Sequence, residues 1–337
     1  SDYTITYQDG TTGKIHRMVK DSRDDLRRLE DTDGDGVWDK SVVVMNDLEM
    51  TSTAVFHRGW WYLPSVGHVL RRQIVKAGTE PDPKTIGPAT VKRLPGVEPG
   101  TEILEQEIVR GLCGFHQHQA SGITIGSDGW IYISSGDDDN KAEGADGSRA
   151  TVLRCGVVYR CRLDGTDLQE VARGFRNPYR NVVLDRYFNV FHVDNDQEDG
   201  SKFTGCRLMH VMDGNDFGWR LYPGAVCCRV DNSRAAVFGE RAGKMPSLLK
   251  TGRGAPAGLL SYQSNTVEKL DGWLIYPDVV RKLVRAYRVE RTATTFKVVS
   301  QFELMANDDG LFRPCEDRNS TRLNSSHIPL SRMPSSA

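Results

Sequence analysis

The sequence predicts an all-β propeller, built from four-stranded antiparallel sheets, and three observations point there. Similar strand cores recur at Trp60-Trp61-Tyr62-Leu63, Trp130-Ile131-Tyr132-Ile133, Asn189-Val190-Phe191-His192 and Trp273-Leu274-Ile275-Tyr276, each behind a turn of Gly, Asp or Arg. Measured at Trp61, Ile131, Val190 and Leu274, they lie 70, 59 and 84 residues apart. That irregular spacing suits blades with long insertions better than the tight repeat of roughly 40 to 45 residues in simple propellers. Helix signals are few: only short stretches such as Asp24 to Glu30 look helical, and no sustained 3.6-residue period supports a layered α/β fold.

The second core shows the local logic. Ile123 and Ile125, then Ile131 and Ile133, alternate with small or polar residues on either side of Ser127-Asp128-Gly129. Period two around a turn that needs positive φ at glycine predicts a half-buried hairpin. His116 and His118 stand just ahead of it, two residues apart and so on one side of an extended segment. They offer either a surface feature, a pair of transition-metal ligands awaiting a third, or a single general base.

Composition excludes several functions. With 44 Lys and Arg against 45 Asp and Glu, the formal charge of −1 gives no electrostatic case for nucleic acid or an anionic membrane surface. No apolar run approaches the roughly 20 residues that span a bilayer. The chain opens on Ser1-Asp2, without initiator Met or signal peptide, so its true start is expected upstream. All-β chains of 337 residues commonly fold as one domain, here expected over residues 1–317. The Ser-rich residues 318–337 lose the alternation and are expected to lie outside it, as a disordered terminus or as translated adaptor read-through of a metagenomic gene. Seven cysteines, with no Cys-x-x-Cys pair, suit buried or paired thiols rather than zinc or covalent haem.

Three further segments carry chemistry. Asp31-Thr32-Asp33-Gly34-Asp35-Gly36-Val37-Trp38-Asp39 sets Asp31, Asp33, Asp35 and Asp39 at loop positions one, three, five and nine with glycine at six, the spacing that wraps oxygens around Ca²⁺. Val42 stands where an EF-hand needs its bidentate Glu, so the loop predicts a structural calcium rather than a helix-loop-helix sensor. In Arg176-Asn177-Pro178 the proline holds Asn177 extended, so that Arg176 and Asn177 can face a channel. Asp194-Asn195-Asp196 opens an acidic run suited to a cation, and Gly214-Asn215-Asp216-Phe217-Gly218-Trp219 supplies a turn and an indole.

In this order the segments resemble the glucose/sorbosone dehydrogenase family, and more particularly membrane-bound dehydrogenases of planctomycete-type bacteria. His118-Gln119-Ala120-Ser121-Gly122 stands for the family's His-Gln-Ser-Gly with one residue more; Arg176-Asn177-Pro178 for its Arg-Asn-Pro; Gly214 to Trp219 for its Gly-Asn-Tyr-Gly-Trp. The resemblance runs from about Lys14 to Asp317. It implies a six-bladed propeller, here incomplete at both ends, that binds pyrroloquinoline quinone (PQQ) and Ca²⁺ and oxidises a sugar or other alcohol. His118 would be the base and Arg176 would steady developing negative charge. Asn177, Arg281 and Arg313 would contact the quinone, and Asp194, Asn195 and Asp196 fall at the central calcium. Where the family carries a lysine this chain has Val280, leaving Arg281; its Arg-x-Arg is Leu311-Phe312-Arg313. The resemblance also implies a periplasmic or extracellular location and a cytochrome as an electron acceptor. Two rivals stand beside it: a calcium-stabilised propeller binding glycan or protein without catalysis, and a calcium-dependent lactonase-like hydrolase.

Overall fold

The computed structural model describes residues 4–8, 15–19, 23–114, 118–180, 182–196, 205–221, 235–237, 244–310 and 312–314. The chain divides into two compact units, Ser1–Met50 and Thr51–Ala337. His116, the adjacent Cys227 and Cys228 and the tail 318–337 lie outside the described residues.

The first unit consists of hairpins. Thr4–Gln8 pairs antiparallel with Ile15–Val19, and Arg23–Glu30 with Lys40–Glu49. The stretch expected to be helical is thus a strand: seven residues cannot sustain a helix alone, whereas Glu30 faces Lys40 across the ladder and the two side chains form an ion pair at 2.8 Å. The acidic loop is the connection of that hairpin.

The second unit is an all-β propeller fold of consecutive antiparallel meanders. Its first sheet runs Val55–His57, Trp60–Ser65, His68–Lys76, Thr101–Arg110; its second, Gly122–Ile125, Ile131–Ser135, Gly156–Cys161, Gln169–Phe175. The third runs Val183–Leu184, Val190–Asp194, Cys206–Val211, Leu249–Gly252, and the fourth Leu260–Ser261, Leu274–Asp278, Leu283–Arg291, Phe296–Ala306. Every strand core picked out by sequence is the second strand of its sheet. The described residues contain four such sheets, and the count of six reaches beyond them. Insertions explain the uneven spacing. Asn140–Gly144 and Arg149–Val152 leave the second sheet as a hairpin and pair back onto Thr101–Arg110 of the first.

Sheet-on-sheet packing decides burial. Ile131, Ile133 and Tyr159 pack with Trp60, Tyr62 and Leu104 of the first sheet, whereas Tyr132, Val158 and Phe175 pack with Val190 and Met209 of the third. Phe191 and Leu208 meet Leu274, Tyr276 and Tyr287 of the fourth. A strand between two neighbouring blades has no wet face. Ile131–Ser135, Val190–Asp194 and Leu274–Asp278 are therefore buried at every residue; for the first of them this corrects the half-buried expectation, whereas its hairpin partner Gly122–Ile125 is half-buried at Thr124 and Ile125.

Cys113, Cys155, Cys161 and Cys206 are buried, and among the described residues no disulfide joins them. Burial pushes the Cys155 thiol up to about 11 from an ordinary 9.0. Because the folded value lies above the unfolded one, this contribution is full below pH 9 and is lost as pH rises through 11, about 2–3 kcal/mol in all. Denaturation midpoints of wild type should therefore fall more steeply than those of Cys155→Ala between pH 8.5 and 11, where curves of equal slope would contradict the burial.

Candidate active site

The site grows from one device used three times. The second strands of the last three sheets each deliver an aspartate at their exit: Asp137 just past Ile131–Ser135, Asp194 ending Val190–Asp194 and Asp278 ending Leu274–Asp278, all fully buried. A buried carboxylate must be satisfied. Asp194 accepts the backbone amides of Arg176 (2.8 Å) and Asn177 (2.9 Å); Asp278 accepts those of Ala255 and Arg281, both at 3.0 Å. Two of the three thus tie down backbone.

Asp137 does something else. Its Oδ1 lies 2.8 Å from His118 Nδ1, and its Oδ2 accepts from the indole Nε1 of Trp219 at 2.9 Å. An ionised carboxylate only accepts, so in neutral His118 the proton sits on Nδ1 and the basic lone pair on Nε2. Both side chains are 1% exposed. The close approach depends on Gly136: a Cβ there would come within 1.7 Å of the His118 carbonyl oxygen. In the sequence Asp137 and Trp219 stand inside larger motifs, and neither was assigned a role there. The signal was available in the repeated strand-then-aspartate exit shared with Asp194 and Asp278.

From Trp219 the contacts run to the arginine. The Arg176 guanidinium lies 5.8 Å from the Trp219 ring centroid and donates to the Asn195 carbonyl at 2.9 Å. Asn195 N in turn donates to the Asn177 carbonyl at 3.1 Å. The structure therefore brings His118, Arg176, Asn177, Asp194 and Asn195 to one end of the second and third sheets. Asn177 is 6% exposed, and its Oδ1 has no hydrogen-bond partner among the described residues. Such an orphaned acceptor costs about 1–3 kcal/mol unless something else supplies a donor.

Other expected residues fall differently. Asp194 and Asp196 hold Arg207, whose Nε reaches Asp196 at 2.5 Å and whose Nη2 reaches Asp194 at 3.1 Å. Burial and the Asp196 charge push the Asp194 carboxyl well above the usual carboxylate range, with Arg207 pulling the other way. Arg281 stands at the turn after Asp278, its Nε donating to the Arg253 carbonyl, and Gly254 accepts from Cys206 Sγ, itself 3.7 Å from Asn195 Oδ1. It thus lies farther along the same chain of contacts. Arg313 is exposed, and among the described residues no hydrogen bond or ion pair joins it to these groups.

In the first unit, Asp31, Asp33 and Asp39 each offer a carboxylate oxygen within 4.8 Å of the others. Asp31 braces the loop by accepting from Gly34 N (2.6 Å) and Gly36 N (2.9 Å), and a hydrogen bond from Thr32 lowers the Asp39 carboxyl. Asp35 is not in the cluster; its Oδ1 accepts from Val37 N.

Fold and site together define an all-β propeller with a buried His-Asp pair at the strand exits. The chain belongs to the family described as Domain of unknown function (DUF7133), matched over residues 105–320. No curated protein sequence matches it. Among solved structures, a Trichoderma reesei protein of Carbohydrate-Active Enzymes Family AA12 aligns with 11% identity and a TM-score of 0.51 over 91% of this chain and 83% of that one. An oxidoreductase described as a glucose dehydrogenase from Thermus thermophilus aligns with 13% identity and a TM-score of 0.45 over 80% of this chain and 87% of that one. The soluble aldose sugar dehydrogenase of Escherichia coli, in its apo form, aligns with 12% identity and a TM-score of 0.41 over 75% and 86%. At such identities the likeness is one of fold. Among the described residues no helix is long and apolar enough to cross a membrane.

Proposed function

We propose that this chain is an oxidoreductase acting on a sugar or other alcohol, with His118 as the proton acceptor. The observation that carries the reading is the buried His118-Asp137 pair, oriented at 2.8 Å and sharing one set of strand exits with the Arg176 guanidinium. His118 Nε2 takes the proton of the reacting hydroxyl. Asp137 fixes the tautomer that makes Nε2 basic and stabilises the imidazolium that forms; the Trp219 indole holds Asp137 in place. Arg176 offsets negative charge developing on the substrate oxygen.

PQQ fits these residues on one count: the orphaned Asn177 Oδ1 beside Arg176 asks for a hydrogen-bond donor, which the pyrrole N–H of the quinone would supply. Asn177 and Arg281 would hold it, and when bound it supplies the hydride acceptor. Calcium fits the Asp31, Asp33 and Asp39 loop, where three carboxylate oxygens converge, and does not fit Asp194 and Asp196, which already hold a guanidinium. A periplasmic or extracellular location and a cytochrome acceptor belong to the same reading.

The test is dye reduction by protein incubated with PQQ and Ca²⁺ over a panel of aldoses and simple alcohols, with lactone hydrolysis followed in parallel. Reduction that needs both substrate and quinone supports the reading; hydrolysis without reduction would replace it with the lactonase. Asp137→Asn, which removes the anion beside Nδ1, should lower kcat about 10-fold or more and move the acid limb of its pH profile downward, since a carboxylate next to an imidazole raises its pKa. An unmoved limb would deny Asp137 its orienting role. A second reading, a calcium-stabilised propeller that binds glycan without chemistry, is favoured by the exposure of Arg313 and by Arg281 donating to the Arg253 carbonyl. Under either reading EDTA should lower the thermal midpoint of wild type and leave an Asp31→Asn, Asp33→Asn variant unmoved, so equal wild-type midpoints with and without chelator would remove calcium from the loop.

A further inference from the structure

We infer that Arg207 is a built-in cation standing where the resemblance expects the central calcium, so that the Asp194-Asp196 pair takes no metal. The guanidinium is as fully enclosed as the two carboxylates, with the side chains 4%, 0% and 0% exposed. Its donors are spent in all directions. Nε and Nη2 make a forked contact with Asp196 at 2.5 and 2.9 Å, Nη2 also meets Asp194 at 3.1 Å and the Gly174 carbonyl at 3.3 Å, and Nη1 donates to the Phe217 carbonyl at 2.6 Å.

The acceptors are equally occupied. Asp194 Oδ1 serves the Asn177 amide, Oδ2 serves the Arg176 amide and Arg207, and both Asp196 oxygens serve Arg207. Calcium needs six to eight oxygens at about 2.3–2.6 Å, and entering between these two acids it would meet a fixed positive charge at hydrogen-bonding distance from both carboxylates. The loop of the first unit differs: Asp31, Asp33 and Asp39 bring carboxylate oxygens within 4.8 Å of one another, and Asp31 and Asp39 accept there from backbone amides and a threonine hydroxyl rather than from a guanidinium.

The register explains the placement. Asp194 and Arg207 are direct partners across the hairpin of the third sheet, so pairing Val190–Asp194 with Cys206–Val211 brings the arginine to the acid pair without help from an ion. The segment Arg176-Asn177 is then held through Asp194 by a residue of the chain. Chelators should leave this end of the propeller unaltered.

The measurement is terbium luminescence and its competition by Ca²⁺, in full-length protein carrying Asp31→Asn, Asp33→Asn and Asp39→Asn so that the loop is silent. Luminescence at baseline, or calcium-competed luminescence that survives Asp196→Asn, is the expected result. Calcium-competed luminescence that Asp196→Asn abolishes would overturn the inference. Should Asp196→Asn fail to fold, Arg207→Gln in the same background decides. Emptied of its guanidinium, the diacid should gain calcium-competed terbium luminescence, whereas calcium-competed luminescence of equal strength with and without Arg207 would mean that a metal already sat there. None of these readouts depends on catalysis, so their failure is distinct from failure of the proposed oxidoreductase activity.

Discussion

Replacing His118 by Asn should abolish most turnover while leaving the fold in place. The asparagine Nδ2 can still donate to Asp137, so the buried carboxylate keeps a partner; what disappears is the basic nitrogen on the far side of the ring. A positioned general base contributes about 10²- to 10⁴-fold, and kcat for the best substrate of the dye assay should fall by that factor. The KM should change far less, because the lost interaction belongs to proton transfer and not to ground-state binding. Far-ultraviolet circular dichroism and the thermal midpoint should stay near wild type. A fall in kcat of less than about 5-fold in a folded variant would remove His118 from the chemistry, because it lies well below what a base supplies.

Arg207→Met should be the most destabilising single change in the second unit. It leaves Asp194 and Asp196 as uncompensated buried carboxylates and strips donors from the Phe217 and Gly174 carbonyls. Removing one partner of a buried ion pair costs about 3–5 kcal/mol, far more than the roughly 0–1 kcal/mol of an exposed pair such as Arg27 with Asp25. Urea denaturation measures it. Adding Asp194→Asn and Asp196→Asn to Arg207→Met should restore part of the loss, because the penalty lies in stranded charge. A loss below about 1 kcal/mol for the single variant would mean that the network is wet and weakly coupled.

Much of the fold was legible because it follows from local chemistry. The four aromatic-aliphatic cores became the second strands, and Gly129, at φ 84°, makes the turn that joins Ile125 to Ile131. The acidic loop was readable for the same reason: its carboxylates come from nine consecutive residues. Where local signals were weak, reading failed. Asp24 to Glu30 has no strong period of its own, and its pairing with Lys40–Glu49 overrode the helix-like composition. The half-buried expectation failed for Ile131–Ser135 because alternation describes one sheet, whereas burial of that strand depends on two neighbours.

The site divides along the same line. By itself the sequence marked His118, the Arg176-Asn177 segment and an acidic stretch as candidates for one site, since motif order and turn residues are written in contiguous stretches. Only the tertiary structure decided their partners: Asp137 with His118, Trp219 with Asp137, and Arg207 in place of an ion between Asp194 and Asp196. Trp219 lies 82 residues from Asp137, and Arg207 reaches its acids only through strand register. Charge compensation in a low-dielectric interior acts through space. A run of acids therefore reads as a cation site until folding supplies its counterion from within the chain.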